Sequence, residues 1–232
     1  MKVLIDICDT EAAASFAEKL GNISGKETEF FFRKKDLRYG GKSASVSFED
    51  LSAAVSSFKD ILEKEEMTDV VLMEGGGLLA SALSLYPELK KKISKIIYAG
   101  GAWCFGDVSP VAERSVYEDP EAMQVLLRAG IPFYFVPLEV YEKTGRKYET
   151  AYLAALKPEV FDFVKYRAEV EVYADYTRGM TVIYRNGYDH LEIEEGEGAF
   201  SHLCFVKEED KNAYYPEADG KRIEEALKEV FG

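Results

Sequence analysis

Acidic side chains stand at the ends of three apolar, β-rich runs in this sequence of 232 residues. The loops that hold them are residues 6–11, 74–77 and 100–107. Their carboxylates belong to Asp6, Asp9, Glu11, Glu74 and Asp107. Carboxylate oxygens bind metal ions, and a carboxylate in a crevice also acts as a general base. Capping of the following helix by Asp9 and Thr10 is the structural alternative for the first loop.

The second loop also contains a glycine pattern. Residues 74–80, Glu-Gly-Gly-Gly-Leu-Leu-Ala, match G-x-G-x-x-A between a predicted strand and a predicted helix, which is the spacing of a dinucleotide fingerprint. Such glycines let a phosphate approach a helix N-terminus. The next predicted strand, however, ends in Tyr98-Ala99-Gly100, without the carboxylate expected to hold a ribose. Plain turn geometry is therefore the alternative explanation of these glycines.

The segments that must position these loops alternate between strand and helix through the first two thirds of the chain. Predicted strands cover residues 3–5, 30–32, 68–73, 93–99 and 131–136. Predicted helices cover residues 11–20, 47–66, 78–86 and 120–129. Strands that are apolar throughout and alternate with helices predict a parallel sheet covered on both faces. Because open sheets of this kind bind ligands at the carboxyl ends of their strands, the three loops are expected to line one crevice.

The last third of the chain has a different pattern. Residues 170–184 and 203–206 are predicted strands, an Asn-Gly pair at 186–187 predicts a turn, and residues 222–231 predict a closing amphipathic helix. These features favour an antiparallel hairpin or extension. We therefore predict one α/β domain over residues 1–232, with an open, mostly parallel, Rossmann-like sheet, helices on both faces and an antiparallel C-terminal edge.

The composition excludes several classes of protein. The 29 basic and 42 acidic side chains give a formal net charge of −13, and the longest basic runs, 33–35 and 90–92, are too short for a nucleic-acid-binding face. Three distant cysteines without a C-x-x-C pair predict neither a zinc site nor a disulfide framework. The N-terminal segment predicts no signal peptide, and no apolar stretch approaches the roughly 20 residues of a membrane-spanning helix. We expect a cytoplasmic protein that binds neither nucleic acid nor membrane.

Residues 95–140 carry a resemblance to a known family. Its motifs here are Gly-Gly-Ala at 100–102, Gly-Asp-Val-Ser-Pro-Val-Ala-Glu at 106–113, Tyr-Glu-Asp-Pro-Glu-Ala at 117–122 and Val-Pro-Leu-Glu-Val at 136–140. They resemble the G-G-A, G-N-x-T/S-P-x-A-E, Y-x-D-P-E-A and V-P-L-D-V motifs of the inosine-uridine preferring nucleoside hydrolases. Residues 86–89 and 177–182 match further segments of that family. The resemblance implies a nucleoside hydrolase-like fold.

The activity that the resemblance implies is hydrolysis of the N-glycosidic bond of a ribonucleoside. In that family calcium holds the ribose hydroxyls and the attacking water, a carboxylate is the base, and the transition state is oxocarbenium-like. The metal motif of that family follows the first strand and reads D-x-D-P-G-x-D-D. Its first aspartate aligns with Asp6, and its second aligns with Asp9 when one residue is inserted. The resemblance therefore implies Asp6 and Asp9 as metal ligands and as the base. The paired aspartates become alanines within residues 12–14. The residue whose backbone carbonyl binds calcium in the family aligns with Gly77. The family's H-D-P motif aligns with residues 147–149, which contain neither histidine nor aspartate.

Substrate contacts follow from the same resemblance. Glu113 is retained from the ribose-binding E-F-N motif and Ser115 replaces its asparagine. Asp107 replaces the asparagine after the loop glycine. These three residues are expected to hold the ribose, with Gly77 contributing its backbone carbonyl. Trp103 could stack on the base, although covering the core is the alternative.

Three functions stay open on the sequence alone. The first is a shortened, diverged nucleoside hydrolase-like enzyme that acts on a ribonucleoside or a related small molecule, with calcium as its implied cofactor. The second is a non-catalytic family member that has lost the calcium site and acts in ligand sensing or in assembly, as a homo-oligomer or with a partner. The third is a nucleotide-binding protein that uses the glycines at 75–77. A rebuilt metal site would require the acidic residues of the three loops to converge.

Overall fold

The computed structural model of the chain describes twelve ranges of residues. They are 2–8, 10–21, 27–33, 48–101, 106–108, 113–161, 167–173, 180–185, 190–195, 200–206, 212–213 and 220–232. The strands in them are β1 (Lys2–Cys8), β2 (Thr28–Arg33), β3 (Thr68–Leu72), β4 (Ile93–Ala99), β5 (Phe133–Val136), β6 (Arg167–Tyr173), β7 (Met180–Arg185), β8 (His190–Glu195), β9 (Phe200–Val206) and β10 (Asn212–Ala213). The α-helices are α1 (Glu11–Gly21), α2 (Phe48–Lys64), α3 (Gly77–Leu85), α4 (Arg114–Glu118), α5 (Pro120–Arg128), α6 (Leu138–Thr144), α7 (Lys147–Leu156) and α8 (Gly220–Phe231). Short 3-10 helices cover Pro87–Lys92 and Pro158–Val160.

Six strands form one sheet in the order β10-β5-β4-β3-β1-β2. Each neighbouring pair is parallel, which confirms the predicted α/β class. All residues of the central strand β3 are buried, as expected when both faces of a sheet are covered. The chain order reverses at β1, because β2 lies on one side of it and β3 on the other. Such a reversal opens a crevice at the carboxyl ends of the strands.

Helices cover both faces of the sheet, and each face has its own apolar core. Alternate residues of a strand point to opposite faces. Leu4 and Val70 therefore pack in one core with α2, α3 and α5, whereas Ile5 and Val71 pack in the other with α1, α7 and α8. Each fully buried side chain of this size contributes roughly 1.5 to 3 kcal/mol. The two cores fix the strands and so position the loops at their ends.

Four strands of the last third pair outside this sheet. β6 pairs with β9 and β7 pairs with β8, both antiparallel. The predicted strand at 170–184 is thus divided between β6 and β7, and the turn at 186–187 lies outside the described residues. The edge strand β10 runs parallel to β5. An antiparallel edge on the main sheet is not seen among the described strands, and the single domain over residues 1–232 stays a prediction.

Two helices between β5 and β6 were not predicted from the sequence. The α6 helix ends at Gly145, whose φ of 63° is the left-handed conformation that glycine adopts readily at a helix end. The α7 helix is buried from Thr150 to Ala155 and so has no polar face over that stretch. A helix buried on most sides shows no amphipathic stripe, which is why the sequence pattern did not indicate it. None of the helices in the described part of the chain combines the length and apolar character needed to cross a membrane.

Candidate functional site at the strand ends

A cavity of about 380 Å³ lies beyond the carboxyl ends of β1, β3 and β4. Its acidic lining residues are Glu74, Asp107, Glu113, Glu118 and Glu142. Its other polar lining residues are Cys8, Thr10, Arg114, Ser115, Tyr141 and Lys147. Because carboxylates outnumber cationic side chains here, the cavity favours a ligand that donates hydrogen bonds or develops positive charge.

The cavity brings together residues from all three predicted loops. Of the predicted substrate contacts, Asp107, Glu113 and Ser115 line it. Glu74 from the second loop lines the same cavity. Cys8 and Thr10 of the first loop also line it, and Asp107 belongs to the third loop, so the expectation that the three strand-end loops form one crevice is met.

The other predicted site residues lie elsewhere. Gly77 is the buried first residue of α3 and is not part of the cavity lining. Asp6 is fully buried in β1, below the cavity. Asp9 and Trp103 lie outside the described residues. The residues on either side of Asp9, however, both line the cavity.

Asp6 forms a buried ion pair with Arg33, the last residue of β2. Nε of Arg33 lies 2.7 Å from Oδ1 of Asp6, and the two side chains are 2% and 0% exposed. The same guanidinium donates a hydrogen bond to the backbone carbonyl oxygen of Glu74. Burial raises the pKa of Asp6 to about 6, although the positive charge of Arg33 opposes the shift. Asp6 is therefore a paired and enclosed carboxylate.

The described residues around Asp6 do not fit a calcium ion. Calcium takes six to eight oxygen ligands, most of its charge being balanced by carboxylates. Oδ1 of Asp6 instead faces a guanidinium, which stays protonated at any ordinary pH. Within the described ranges, no group of three or more His, Cys, Asp or Glu side chains is arranged to hold a metal ion.

The glycines after Glu74 have structural roles. Gly75 has a φ of +96°, in the region that favours glycine. A Cβ atom at Gly76 would lie 2.3 Å from Cδ1 of Leu126 on α5, so a larger residue here would require the buried Leu126 side chain to shift. Turn geometry and close packing therefore account for these two residues, in line with the structural alternative to a dinucleotide fingerprint.

Glu74 is held in its ionised form by partners from several elements. Tyr148 on α7 donates a 2.6 Å hydrogen bond to Oε1, and the Cys8 thiol also hydrogen-bonds to this carboxylate. Burial alone would raise the pKa of Glu74, but these hydrogen bonds and the charges of Lys147 and Arg33 outweigh it and lower the pKa below its ordinary value. A fixed negative charge therefore stands in the cavity wall at neutral pH.

Cys8 is a protonated thiol and not a nucleophile. Burial raises its pKa to about 12, with Arg33 opposing the shift and the Glu74 carboxylate adding to it. A reactive cysteine requires a lowered pKa, because the thiolate is the attacking form. Cys8 therefore contributes to the cavity wall at the end of β1 as a neutral thiol beside the Glu74 carboxylate.

Glu113 closes the loop that follows β4. Its Oε2 accepts hydrogen bonds from the backbone N–H groups of Gly101 at 3.0 Å and Val116 at 3.4 Å. Its Oε1 accepts a hydrogen bond from the Ser115 hydroxyl at 3.0 Å. Glu113 is the N-cap of α4 and is 1% exposed. Both of its oxygens are used by the protein, so Glu113 positions the loop and Ser115.

Asp107 is exposed at the rim of the cavity. Its Oδ1 accepts a 2.7 Å hydrogen bond from the backbone N–H of Arg114. This bond ties the end of the third loop to the start of α4 and leaves the carboxylate accessible to a ligand.

Sequence reasoning missed the lining residues Glu118, Tyr141 and Glu142, and it missed three residues that hold the carboxylates of the site. Arg33 was noted only as part of a short basic run, and Lys147 and Tyr148 only for the histidine and aspartate they replace. A signal for Arg33 was present, since it directly follows the predicted strand at 30–32. In the structure it stands in register with Cys8 across β1 and β2.

Comparison with known proteins shows the family. The family model described as inosine-uridine preferring nucleoside hydrolase matches residues 25–155. The chain belongs to this family. The resemblance seen in the sequence motifs is therefore confirmed.

Curated relatives in this family include the pyrimidine-specific ribonucleoside hydrolase RihA of Escherichia coli (strain SMS-3-5 / SECEC). It is 29% identical over 167 residues, which cover 54% of this chain and 54% of that protein. RihA of Citrobacter koseri is 28% identical over 167 residues, with the same shares of 54% and 54%. The chain thus spans about half the length of the curated relatives it matches.

Solved structures of the family share the fold. A purine-preferring ribonucleoside hydrolase from Gardnerella vaginalis aligns with a TM-score of 0.60 at 16% identity, covering 100% of this chain and 98% of that one. An inosine-guanosine nucleoside hydrolase aligns with a TM-score of 0.59 at 15% identity, covering 99% of this chain and 98% of that one. At these identities the likeness establishes the nucleoside hydrolase-like α/β fold.

Proposed function

We propose that this chain binds a ribonucleoside or a related N-glycoside at the strand ends and hydrolyses its N-glycosidic bond, acting as one domain over residues 1–232. The observation that carries the proposal is the cavity, which gathers Asp107, Glu113 and Ser115 from the family motifs together with Glu74. Its volume of about 380 Å³ is in the range of small-molecule pockets.

The oxygen-rich lining suits the ribose. Sugar hydroxyls donate hydrogen bonds to carboxylates, and Asp107 offers an accessible one at the rim. The hydroxyl of Ser115, which is oriented by Glu113, is a second polar contact. Trp103 is the proposed stacking partner of the base, whereas Gly77, which is buried at the start of α3, is assigned no contact with the ligand.

The chemistry requires stabilisation of a cationic ring. Cleavage of the N-glycosidic bond develops positive charge on the ribose in an oxocarbenium-like transition state. Glu74 is suited to stabilise that charge, because it is ionised and partly enclosed. Asp9 is the proposed base that activates water, since its two neighbours line the cavity. Asp6 supports the end of β1 through its pair with Arg33, and this scheme contains no metal-dependent step.

Release of free base tests the proposal. Inosine, uridine and a p-nitrophenyl riboside, which releases p-nitrophenol in place of a base, are incubated with the chain in EDTA, and the products are separated by chromatography. The Glu74→Gln variant is expected to lower kcat by roughly 100-fold, the loss typical of one stabilising group in an active site. Glu88→Gln, on the exposed surface of a 3-10 helix, is the matched control and should keep the rate. Equal rates for the two variants would contradict the assigned role of Glu74.

A non-catalytic function in ligand sensing or homo-oligomeric assembly is the second candidate. It is favoured by the engagement of two carboxylates, since Asp6 pairs with Arg33 and Glu113 accepts hydrogen bonds through both oxygens. Calorimetric binding of inosine or uridine without any release of base would support it. Turnover of any of the three substrates would exclude it.

A further inference from the structure

Arg33 lies where three elements of the site meet. It ends the edge strand β2, pairs with Asp6 of β1 and donates a hydrogen bond to the carbonyl oxygen of Glu74 in the loop after β3. Its side chain is 2% exposed. Removing a guanidinium from water to this extent is costly unless partners compensate it. The cation is therefore a built part of the strand ends and not a surface charge.

Both partners of Arg33 belong to segments that the family resemblance assigns to the metal. Asp6 stands at the first metal-binding aspartate, and the loop at 74–78 aligns with the loop that gives a carbonyl to calcium. Arg33 contacts one carboxylate oxygen and one carbonyl oxygen of these segments. Those are the two kinds of oxygen that calcium uses. A divalent ion on the same carboxylate would be repelled by the neighbouring guanidinium.

The loop after β3 is in contact with this side chain. At Gly75, whose φ is +96°, an added Cβ atom would lie 3.8 Å from Nη2 of Arg33. The turn thus brings the Glu74 carbonyl to the guanidinium while the Glu74 side chain lines the cavity. Arg33 stands in register with Cys8, which lines the same cavity. The fixed cation is therefore one layer below the proposed ligand site.

We propose that the Arg33 guanidinium is a built-in cation that replaces the divalent metal ion of the family, so that this chain assembles its site and binds its ligand independently of calcium. The group links three strand ends through Asp6 and the Glu74 carbonyl. It acts as a positioning residue, because it touches the site's walls and not the ligand.

Thermal unfolding of the full chain tests this inference without any ligand. The melting temperature in EDTA and in excess calcium chloride is expected to agree within about 1 °C. An ion bound at about 100 times its Kd would instead raise it by roughly 5 to 10 °C for a chain of this size. A rise of that size in the unchanged protein overturns the proposal.

Variants of Arg33 separate the charge from the packing. Arg33→Ala lowers the melting temperature and opens space at Asp6, so low-millimolar guanidinium is expected to raise the melting temperature of this variant by several degrees. Arg33→Met fills the space without a charge, so guanidinium is not expected to raise its melting temperature. Arg33→Lys keeps the charge and should melt above Arg33→Met, a comparison that remains decisive where Arg33→Ala does not fold. Arg128→Ala, exposed on α5, is the control and does not respond to guanidinium. A melting temperature of Arg33→Met at or above that of Arg33→Lys overturns the proposal.

A ligand experiment extends the test, and this arm rests on the proposed function. The Kd of inosine or uridine, measured by calorimetry, should differ by less than about twofold between EDTA and calcium. Tenfold tighter binding in calcium overturns the inference. Absence of binding in both conditions would contradict the proposed function alone, because the melting experiments still decide the role of Arg33.

Discussion

The hydroxyl of Tyr148 on α7 lies 2.6 Å from Oε1 of Glu74, the residue that follows β3 by two positions. This contact joins a buried helix to the end of a central strand. Burial opposes the lowering of the Glu74 pKa, and the hydrogen bonds from Tyr148 and Cys8 are its main causes. The neighbouring Lys147 lines the cavity, and its positive charge lowers this pKa further. One turn of α7 thus supplies both a donor and a charge to the same carboxylate.

Tyr148→Phe should therefore destabilise the protein in a pH-dependent way. A hydrogen bond to a charged group contributes about 1 to 3 kcal/mol, and the variant loses it at neutral pH. The pKa of Glu74 is lowered in the folded state from its ordinary value of 4.5. The ionised carboxylate therefore stabilises the folded protein at pH values above 4.5, and this contribution is lost as the pH falls below that value. Urea unfolding should show a difference between the proteins that shrinks in acid. Tyr86→Phe, beyond the other end of α3, is the control and should show no such trend.

Cys8 should resist alkylation. With Cys104 and Cys204 replaced by serine, the reaction of Cys8 with iodoacetamide near pH 8 is expected to be roughly 1000-fold slower than that of an ordinary thiol, because its pKa is raised to about 12. Its rate should increase about tenfold for each pH unit up to the pH limit of folding. Glu74→Gln should accelerate the reaction, since the carboxylate helps to raise the pKa. A rate that levels off near pH 9 in the folded protein would be inconsistent with this account.

Glu113→Ala should loosen the loop between β4 and α4. The variant loses the hydrogen bonds to Gly101 and Val116 and the cap of a helix, for an expected cost of about 1 to 3 kcal/mol in the free energy of unfolding. Glu113→Gln keeps the shape and one acceptor, so it should cost less. Glu118→Ala removes only an exposed ion pair of the same helix and is expected to change stability by less than about 0.5 kcal/mol. Equal unfolding midpoints for the two alanine variants would disprove the capping role.

Gly76→Ala should disturb the packing of α5. The added methyl would meet Leu126 at 2.3 Å, and overpacking of this kind costs about 1 to 3 kcal/mol. Gly21→Ala at the end of α1 is the control, because no atom lies within 4 Å of its added Cβ. Combining Gly76→Ala with Leu126→Ala should show a favourable coupling energy in chemical denaturation, and simple additivity would argue against the contact.

The sequence was sufficient to predict the parallel sheet and the meeting of its strand-end loops. Apolar runs such as those at 70–73 and 96–99 have no polar face, which is typical of strands buried on both sides of a sheet. The predicted helix at 78–86 between these runs returns the chain to the starting edge, which makes the two strands parallel. Their carboxyl ends then meet at one edge of the sheet. That geometry is why Glu74, Asp107 and Glu113 line one cavity.

The use of each carboxylate could not be predicted in the same way. The pairing of Asp6 with Arg33 depends on the register of two strands separated by a helix, which no local pattern specifies. The family motif favoured Glu113 as a ribose contact, but its carboxylate accepts hydrogen bonds from the N–H groups of Gly101 in the loop and Val116 in α4. Tyr148 acts through a helix whose burial removes the amphipathic signal. Long-range contacts, and not residue types, decide these roles.

The edge position of β2 links the lifetime of the site to local opening of the sheet. β2 has β1 as its one neighbour in the described sheet, so its hydrogen bonds are expected to open before those of the central strands. Each opening would withdraw the guanidinium of Arg33 and leave Asp6 as a buried charge without its partner. Hydrogen exchange at the amides of β2 would then report how often the site comes apart, and an occupied cavity would slow that exchange.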